Sequence, residues 1–154
     1  MQIEKRLEEL GIVLPEAAAP LANYVSVQRA GDLLFLSGSG PIAGGAPTMV
    51  GRLGEDISIQ QGYSAAREGA INLIAVLKKV LGDSDNVEQV VKLLGFVRCT
   101  EDFVSQPAVI NGASDLLVEV FGEKGRHARS AVGTNSLPMG MPVEVELIVK
   151  VKDA

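Results

Sequence analysis

Residues 127–151 read HARSAVGTNSLPMGMPVEVELIVKV and contain the pattern that decides the fold. The alternation of apolar and polar residues before and after a Leu-Pro turn predicts two strands. Side chains two residues apart share one face of a strand, so His127 lies beside Arg129, and Glu144 lies beside Glu146. If the turn folds the two strands together, the arginine and the glutamates meet at one end of a sheet.

This juxtaposition predicts a site for a small anion. The guanidinium of Arg129 presents a planar fork of donors that fits a carboxylate or a phosphate. A carboxylate such as Glu144 can hold a water molecule or move a proton. Glu146 shares the face of Glu144 and competes for that role. His127 is open to three interpretations: an acid–base group, a second donor to the anion, or a surface residue.

Periodic patterns divide the rest of the chain into alternating elements. Residues 2–10 predict a short amphipathic helix, which a Pro- and Ala-rich connector follows. Two long helices and five strands come next. The helices are predicted at 57–81 and 103–121, and the strands at 24–29, 33–37, the end of 87–99, 128–133 and 143–151.

Three local expectations accompany this division. Asp102 is expected to cap the second long helix, with Pro107 in its first turn. The segment 87–99 is expected to begin as a helical or turn segment and to end as a strand. The Gly- and Pro-rich stretch 38–55 matches neither a P-loop nor a dinucleotide-binding pattern, so we interpret it as a surface loop.

The elements predict an α+β fold in the order β-β-α-β-α-β, with two helices on one face of a mixed sheet. Residues 1–19 form an N-terminal helix and connector, and residues 20–154 form a single domain. Strands 33–36 and 143–149 offer apolar side chains to both faces of the sheet. Two helices cover only one face, so we expect a second copy of the chain on the other, with a site in the cleft between copies.

Composition argues against several classes of partner. The chain of 154 residues has a formal net charge of −5, 4% aromatic residues and no tryptophan. Nucleic-acid binding draws on clustered cations and on aromatic stacking platforms, so nucleic acid is not an expected partner. The sequence has one histidine and one cysteine without zinc-type spacing, and we expect neither a metal ion nor another cofactor.

The sequence also bears on the compartment. Residues 1–10 are charged and lack the apolar segment of a signal peptide. No apolar run approaches the ~20 residues of a membrane span. The single cysteine, Cys99, permits no internal disulfide, which fits a reducing environment. We therefore expect a cytoplasmic protein that does not insert into a membrane.

The residues, in this order, resemble the YjgF-type RidA family of reactive intermediate/imine deaminases, which also carry the name endoribonuclease L-PSP. The resemblance covers about residues 20–152. Its sharpest part is Arg129-Ser130-x-Val132, followed by Leu137-Pro138 and by VEVE at 143–146. Weaker matches are Pro20, Asn23-Tyr24-Val25, Ser37-Gly38, Phe103 and Asn111.

The resemblance implies a fold like that of the trimeric chorismate mutases and a homotrimer with clefts between protomers. It implies hydrolysis of enamine/imine intermediates, such as 2-aminoacrylate, to 2-keto acids and ammonia. Arg129 would pair with the substrate carboxylate, and Glu144 would position the hydrolytic water. The other residues that would line the cleft and bind the substrate are Tyr24, Ser37, Gly38, Asn111 and His127.

Some features place the chain in a divergent subgroup of that family. Active-type members have a cysteine two residues after the arginine, where this chain has Ala131, and Ser39 replaces the usual glutamine. Three functions therefore stand side by side. The first is an imine deaminase, and the second is a non-catalytic trimer that binds a small carboxylate metabolite as a sensor or regulator. The third, an endoribonuclease or translation inhibitor, is disfavoured by the acidic charge and the single histidine.

Overall fold

The structure, a computed structural model, describes residues 2–20 and 22–152. Within these ranges the α-helices are α1 (Gln2–Glu9), α2 (Ile59–Leu81) and α3 (Gln106–Phe121). The strands are β1 (Val27–Ala30), β2 (Leu33–Leu36), β3 (Ile42–Ala43), β4 (Ala46–Pro47), β5 (Val87–Arg98), β6 (Ala128–Thr134) and β7 (Val143–Val151). No helix in this part of the chain combines the length and the apolar character that crossing a membrane requires.

Five strands form one mixed sheet in the order β1-β2-β7-β5-β6. β5 and β6 run parallel, and every other neighbouring pair is antiparallel. Helix α2 packs on β7, and α3 packs on β5 and β6, so both long helices cover the same face. The α+β class and the mixed sheet are thereby confirmed. The predicted order β-β-α-β-α-β lacks one strand of this five-stranded sheet, because two strands follow α3.

The alternation along β7 separates a helix-covered face of the sheet from an open face. Val143, Val145, Leu147, Val149 and Val151 are buried beneath the helices. The residues between them are half-buried and point the other way. We call this other side the open face. Its apolar members include Phe35, Leu94, Phe96, Val132 and Ile148.

The Leu-Pro turn does not fold the last two strands against each other. β6 pairs with one edge of β5 and β7 pairs with the other, so β5 lies between them. The Leu-Pro segment forms part of a short 3-10 helix (Pro138–Gly140) that carries the chain across the end of β5. A parallel partner such as β6 cannot be reached by a tight turn, and the chain instead uses α3 as the crossover from β5 to β6.

Several predicted boundaries are corrected by the structure. Helix α3 begins at Gln106, and Asp102 does not cap it, since its carboxylate accepts a hydrogen bond from the Thr100 hydroxyl at 2.8 Å. Pro107 does lie in the first turn, as predicted. β5 is extended from its first residue, so the expected helical start of 87–99 is wrong. The loop at 38–55 contains the β3–β4 hairpin and buries Leu53 completely.

The N-terminal helix is held on the domain by polar contacts at its start. The carboxylate of Asp85 accepts hydrogen bonds from the backbone nitrogens of Gln2 at 2.7 Å and Ile3 at 2.8 Å. These contacts satisfy helix donors that have no partner inside the helix. Leu7 is buried in the common core. The division of the chain into residues 1–19 and 20–154 stays a prediction.

Helices α2 and α3 approach each other closely through glycine. α2 starts at a capping box, in which Ser58 and Gln61 exchange hydrogen bonds between side chain and backbone. Further along, a Cβ atom built on Gly112 of α3 would overlap the carbonyl oxygen of Tyr63 on α2. The backbones touch at this point, so the spacing of the two helices depends on the absence of a side chain at 112.

We predict that Gly112→Ala destabilises the fold. The added methyl would push α2 and α3 apart, and overpacking of this kind costs about 1–3 kcal/mol. Helix propensity alone favours alanine over glycine by about 1 kcal/mol and would stabilise the variant. A decrease in the free energy of unfolding therefore indicates the close approach of the two helices. Urea denaturation measures it, with Val118→Ala on the exposed side of α3 as the control. An unchanged or increased free energy of unfolding would contradict the close approach.

Candidate functional site

One candidate site is an open cavity of about 540 Å³ between α3 and the start of β6. We call it the arginine pocket. Three predicted site residues, Asn111, His127 and Arg129, line it together. The other residues that line it are Ser114, Asp115, Val118, Glu119 and Arg126. The structure thus brings together the predicted substrate-binding residues that follow α2.

Arg129 is held in the pocket by neutral partners. Its Nη1 donates to the Ser114 hydroxyl at 3.1 Å, and its Nη2 lies 3.4 Å from the Pro107 carbonyl oxygen. Its guanidinium forms no ion pair with any carboxylate of the described residues. A positioned cation without a carboxylate partner retains its charge and donors for an anionic ligand.

The two carboxylates that line the pocket already bind side chains of α2. Asp115 accepts a hydrogen bond from the Tyr63 hydroxyl at 2.7 Å, and Glu119 pairs with Arg67 at 3.2 Å. The bond to Asp115 is the main reason that the pKa of Tyr63 is raised above its usual value. These contacts draw both carboxylates toward α2, which explains how Arg129 remains without an acidic partner in a cavity that contains two.

A second group of predicted residues lies on the open face around Glu144. A Cβ built on Gly38 would lie 2.9 Å from Cδ of Glu144, so the glutamate side chain passes directly over this glycine. Burial raises the pKa of Glu144 above its usual value, and the neighbouring charge of Glu146 adds to the effect. A carboxylate with a raised pKa is a stronger base than an ordinary one and is suited to take a proton from water. We call this group the glutamate face.

Ser37 and Tyr24 stand beside the glutamate face. The Ser37 hydroxyl donates to the Val25 carbonyl oxygen at 2.7 Å, so the residue after Tyr24 is tied to the residue before Gly38. Tyr24 itself is 54% exposed and its ring is open to solvent. Of the four residues predicted outside the arginine pocket, Glu144 lies on β7 and Gly38 contacts it, while Tyr24 and Ser37 lie in the segments that flank β1 and β2.

Arg129 and Glu144 lie on opposite faces of the sheet within one chain. Arg129 pairs with Leu93, which is buried beneath the helices. Glu144 pairs with Phe96, three residues further along β5 and therefore on the open face. The expectation that the two side chains meet at a strand end of the same chain is therefore wrong. Each chain carries two separate halves of the predicted site.

Ser114 and Asp115 are pocket residues that the sequence interpretation missed. They follow Asn111 at the helical spacings i+3 and i+4, so the three polar side chains share one side of α3. The remaining positions of this helix are mostly apolar. The signal in the sequence is this row of polar residues on a helix that is otherwise mostly apolar.

In the described ranges, one group of carboxylates is close enough together to hold a metal ion. It includes no residue of the arginine pocket or of the glutamate face. It consists of Glu4, Asp83 and Asp85. Glu4 already binds the Lys78 ammonium at 2.7 Å, and Asp83 accepts from the Asp85 backbone at 2.9 Å. These contacts give the cluster a structural role in attaching α1.

Comparison with known proteins identifies the family. The model of the family described as YjgF/chorismate mutase-like, putative endoribonuclease, matches residues 4–151. The chain belongs to the YjgF family. The expected relationship is thereby confirmed, and so is the chorismate-mutase-like fold. The match also begins within α1, so it extends beyond the part of the chain on which the sequence resemblance rested.

Three relatives show how the YjgF chain compares over its length. Protein TCP17 of Trypanosoma cruzi is 44% identical over 99% of this chain and 96% of its own. The structure of Atu1372, a protein of unknown function from Agrobacterium tumefaciens, is 44% identical, with a TM-score of 0.91 over 98% of this chain and 93% of that one. A putative endoribonuclease from Shewanella oneidensis MR-1 is 36% identical, with a TM-score of 0.93 over 97% of this chain and 99% of that one. Such coverage means that these relatives share the N-terminal segment.

We predict that Glu144→Gln stabilises the protein at neutral pH. A carboxyl whose pKa is raised by folding favours the folded state when it is protonated, and this contribution is lost as the pH rises through the folded-state pKa. Glutamine remains neutral throughout. The free energy of unfolding of the variant should exceed that of the wild type at pH 7, and the difference should shrink as the pH falls through the folded-state pKa toward the ordinary value of 4.5, below which it should vanish.

Urea denaturation of both proteins between pH 4 and pH 8 measures this difference. Glu8→Gln, on the exposed side of α1, is the control for removing one negative charge from the surface. A difference between Glu144→Gln and the wild type that is absent at pH 7, or that widens toward acid pH, would contradict the burial of the Glu144 carboxylate.

Proposed function

We propose that this YjgF family chain hydrolyses small 2-imino acids, and their enamine tautomers, to 2-keto acids and ammonia. The observation that carries the proposal is Arg129, a positioned guanidinium without an acidic partner in an open pocket. A 2-imino acid has one carboxylate beside its reactive carbon. Binding that carboxylate on a planar fork would fix the C=N bond at a defined position.

Glu144 supplies the second role. Its raised pKa suits a group that takes a proton from water as the water oxygen attacks the carbon of the protonated C=N bond, whose second electron pair moves to the nitrogen. The resulting carbinolamine then loses ammonia and leaves a carbonyl group. The imino acid and water are the only reactants of this hydrolysis, the 2-keto acid and ammonia are its only products, and side chains can make the proton transfers.

The site is completed between two copies of the chain. Arg129 and Glu144 cannot reach one substrate from opposite faces of the same sheet, but the glutamate face of one protomer can meet the arginine pocket of the next. The apolar side chains of the open face support such an assembly. Phe35 is 41% exposed and Val132 is 43% exposed in the single chain, which favours their burial against another copy. We propose a homotrimer with three such clefts.

The remaining predicted residues complete the cleft. From one protomer, Asn111 lies in the same pocket as Arg129 and offers its amide to the substrate, and His127 lines the pocket behind the Ser114 hydroxyl. From its neighbour, Tyr24 and Ser37 border Glu144 and would close the cleft around a small molecule. Gly38 leaves the space that the Glu144 side chain occupies. The ligand that fits is a small carboxylate-bearing metabolite.

The other two functions predict different behaviour. Ala131 stands where active-type relatives have cysteine, and this substitution favours binding without turnover. A carboxylate-binding trimer would show a rise in melting temperature with 2-keto acids that depends on Arg129, but no ammonia release. The Shewanella relative is described as a putative endoribonuclease. For this chain the net charge of −5 is unfavourable to a polyanionic substrate.

We predict that Arg129→Ala abolishes most of the deaminase activity. Truncating a paired charge costs about 3–4 kcal/mol, so kcat/KM should fall on the order of 10²–10³-fold. Arg129→Lys keeps the charge but loses the fork, and its activity should be intermediate. Ammonia release from enzymatically generated 2-aminoacrylate measures these rates.

Arg29→Ala is the matched control for this assay. Arg29 is an exposed arginine on β1 that donates to the Gly31 carbonyl at 2.9 Å and lies outside both halves of the site. Its rates should equal those of the wild type. Equal activity of Arg129→Ala and the wild type would refute the proposed role of Arg129. Wild-type protein that does not exceed the buffer rate would refute the deaminase.

We also predict that two inactive variants complement each other. Consider mixed trimers of Arg129→Ala and Glu144→Gln. A cleft is intact when the protomer that supplies Arg129 is the Glu144→Gln variant and the neighbour that supplies Glu144 is the Arg129→Ala variant. Random 1:1 mixing makes about one quarter of the clefts intact, so about one quarter of the wild-type activity should return. A site within one chain would give no recovery, because every chain has one defect. The two variants are unfolded and refolded together, and each alone is the control.

A further inference from the structure

Ser114 joins His127 to Arg129 in a continuous chain of hydrogen bonds. The Ser114 hydroxyl lies 2.9 Å from Nε2 of His127 and accepts from Nη1 of Arg129 at 3.1 Å. On the far side of the ring, Nδ1 of His127 lies 2.6 Å from the carbonyl oxygen of Gly125. All three side chains are half-buried and line the arginine pocket, so solvent and a ligand can reach them.

The partners assign the protons in this chain. The Gly125 carbonyl oxygen only accepts, so Nδ1 of His127 carries a hydrogen and donates it. In the neutral ring Nε2 is then bare and accepts the Ser114 O–H. The guanidinium of Arg129 only donates, so it fills a lone pair of the same Ser114 oxygen. The Ser114 hydroxyl proton therefore points at Nε2 of His127, and the Ser114 oxygen accepts a hydrogen bond from the charged guanidinium of Arg129.

Protonation of His127 reverses this arrangement. With both ring nitrogens carrying hydrogen, Nε2 donates to the Ser114 oxygen, and the hydroxyl proton must turn toward another acceptor. The open pocket is where such an acceptor can lie. A substrate whose carboxylate occupies the Arg129 fork has its nitrogen on the adjacent carbon, close to the Ser114 oxygen that contacts Nη1.

We propose that Ser114 and His127 form a proton relay that delivers a proton to the leaving nitrogen of the substrate. The inference rests on the proposed deaminase function and assigns its general acid. Ser114 touches the substrate and is the catalytic residue, whereas His127 acts through Ser114 as a positioning and proton-supplying residue. Ala131, which replaces the cysteine of active-type relatives, has no proton to donate, and the relay supplies a donor in this chain.

The relay acts when the carbinolamine breaks down. The lone pair of the amine nitrogen takes the hydroxyl proton of Ser114, and the Ser114 oxygen takes the Nε2 proton of the imidazolium. The C–N bond breaks with its electron pair on the nitrogen, which leaves as ammonia. The carbinolamine hydroxyl forms the C=O bond and gives its proton to water, and Glu144 returns to solvent the proton that it took from the attacking water. The neutral imidazole then recovers a proton from solvent, so protons and charge balance over the step.

The charged groups around the relay come from three elements. Asp115 and Glu119 of α3 line the same cavity, but they are bound by Tyr63 and Arg67 of α2. Arg129 belongs to β6, and Arg126 precedes it. No carboxylate of the described residues pairs with His127 within ion-pair distance. The proton acceptor beside Nε2 is therefore the serine hydroxyl.

The kinetic test compares the wild type with Ser114→Ala, Ser114→Thr and His127→Asn. Asparagine keeps a donor near the Nδ1 position for Gly125 and removes Nε2. General acid catalysis contributes about 10²–10⁴-fold, so kcat of Ser114→Ala and His127→Asn should fall on the order of 10²-fold with little change in KM. Threonine keeps the hydroxyl and should restore most of kcat. The wild-type kcat should fall as the pH rises, and this fall should be absent in His127→Asn.

Ser64→Ala, the same change on an exposed turn of α2, is the control and should match the wild type. A wild type that is active and variants that keep its kcat and pH profile would overturn the relay while the deaminase stands. Thermal melting of each variant separates a folding defect from a kinetic one, and Ser114→Thr provides a folded variant with the hydroxyl.

A binding measurement tests the relay without turnover. Pyruvate on Arg129 should draw the Ser114 hydroxyl toward its carboxylate, after which Nε2 of His127 takes a proton from the buffer. Calorimetric titration with pyruvate in two buffers of different ionisation enthalpy should show proton uptake in the wild type and none in His127→Asn. Absence of uptake in the wild type overturns the relay. Uptake in a protein that releases no ammonia would instead remove only the deaminase and leave a proton-coupled carboxylate receptor.

Discussion

The insertion of β7 between β2 and β5 determines where every functional side chain lies. Its valines pack against α2, and the alternation of the strand then sends Glu144 to the opposite face. β6 is consequently displaced to the edge of the sheet, where Arg129 contacts α3. The separation of a cationic pocket from a carboxylate face thus follows from strand order, and an assembly that joins them needs no rearrangement of the single chain.

The support around each half shows how charge is kept available. Arg129 is positioned by a hydroxyl and a carbonyl oxygen, while α2 engages the two nearby carboxylates. Glu144 lies in surroundings that disfavour its ionised form. Neither arrangement is the one that most favours the isolated fold, since a neutral residue at 144 or an ion pair at Arg129 would be less costly. Functional sites commonly retain such costs.

Local patterns in the sequence were sufficient for the three helices and for the five strands of the main sheet, apart from their ends, because periodicity acts over a few residues. They failed where the answer depends on strand partners. Leu137 and Pro138 between two strands suggest a hairpin, and only the parallel pairing of β6 with β5 shows otherwise. Ser114 was missed for a related reason: its role depends on an arginine of β6 and on the histidine that precedes this strand. Asp102 is not the cap of α3 because the helix begins only at Gln106, with Ser105 at its N-cap position.

The contact between Gly38 and Glu144 constrains two positions that are 106 residues apart in sequence. A side chain at 38 would occupy the volume through which the glutamate passes. The two positions should therefore covary across homologues. A lineage that acquires alanine or a larger residue at 38 is expected to carry a shorter side chain at 144. The residue at 38 alone would then indicate that the carboxylate has been lost.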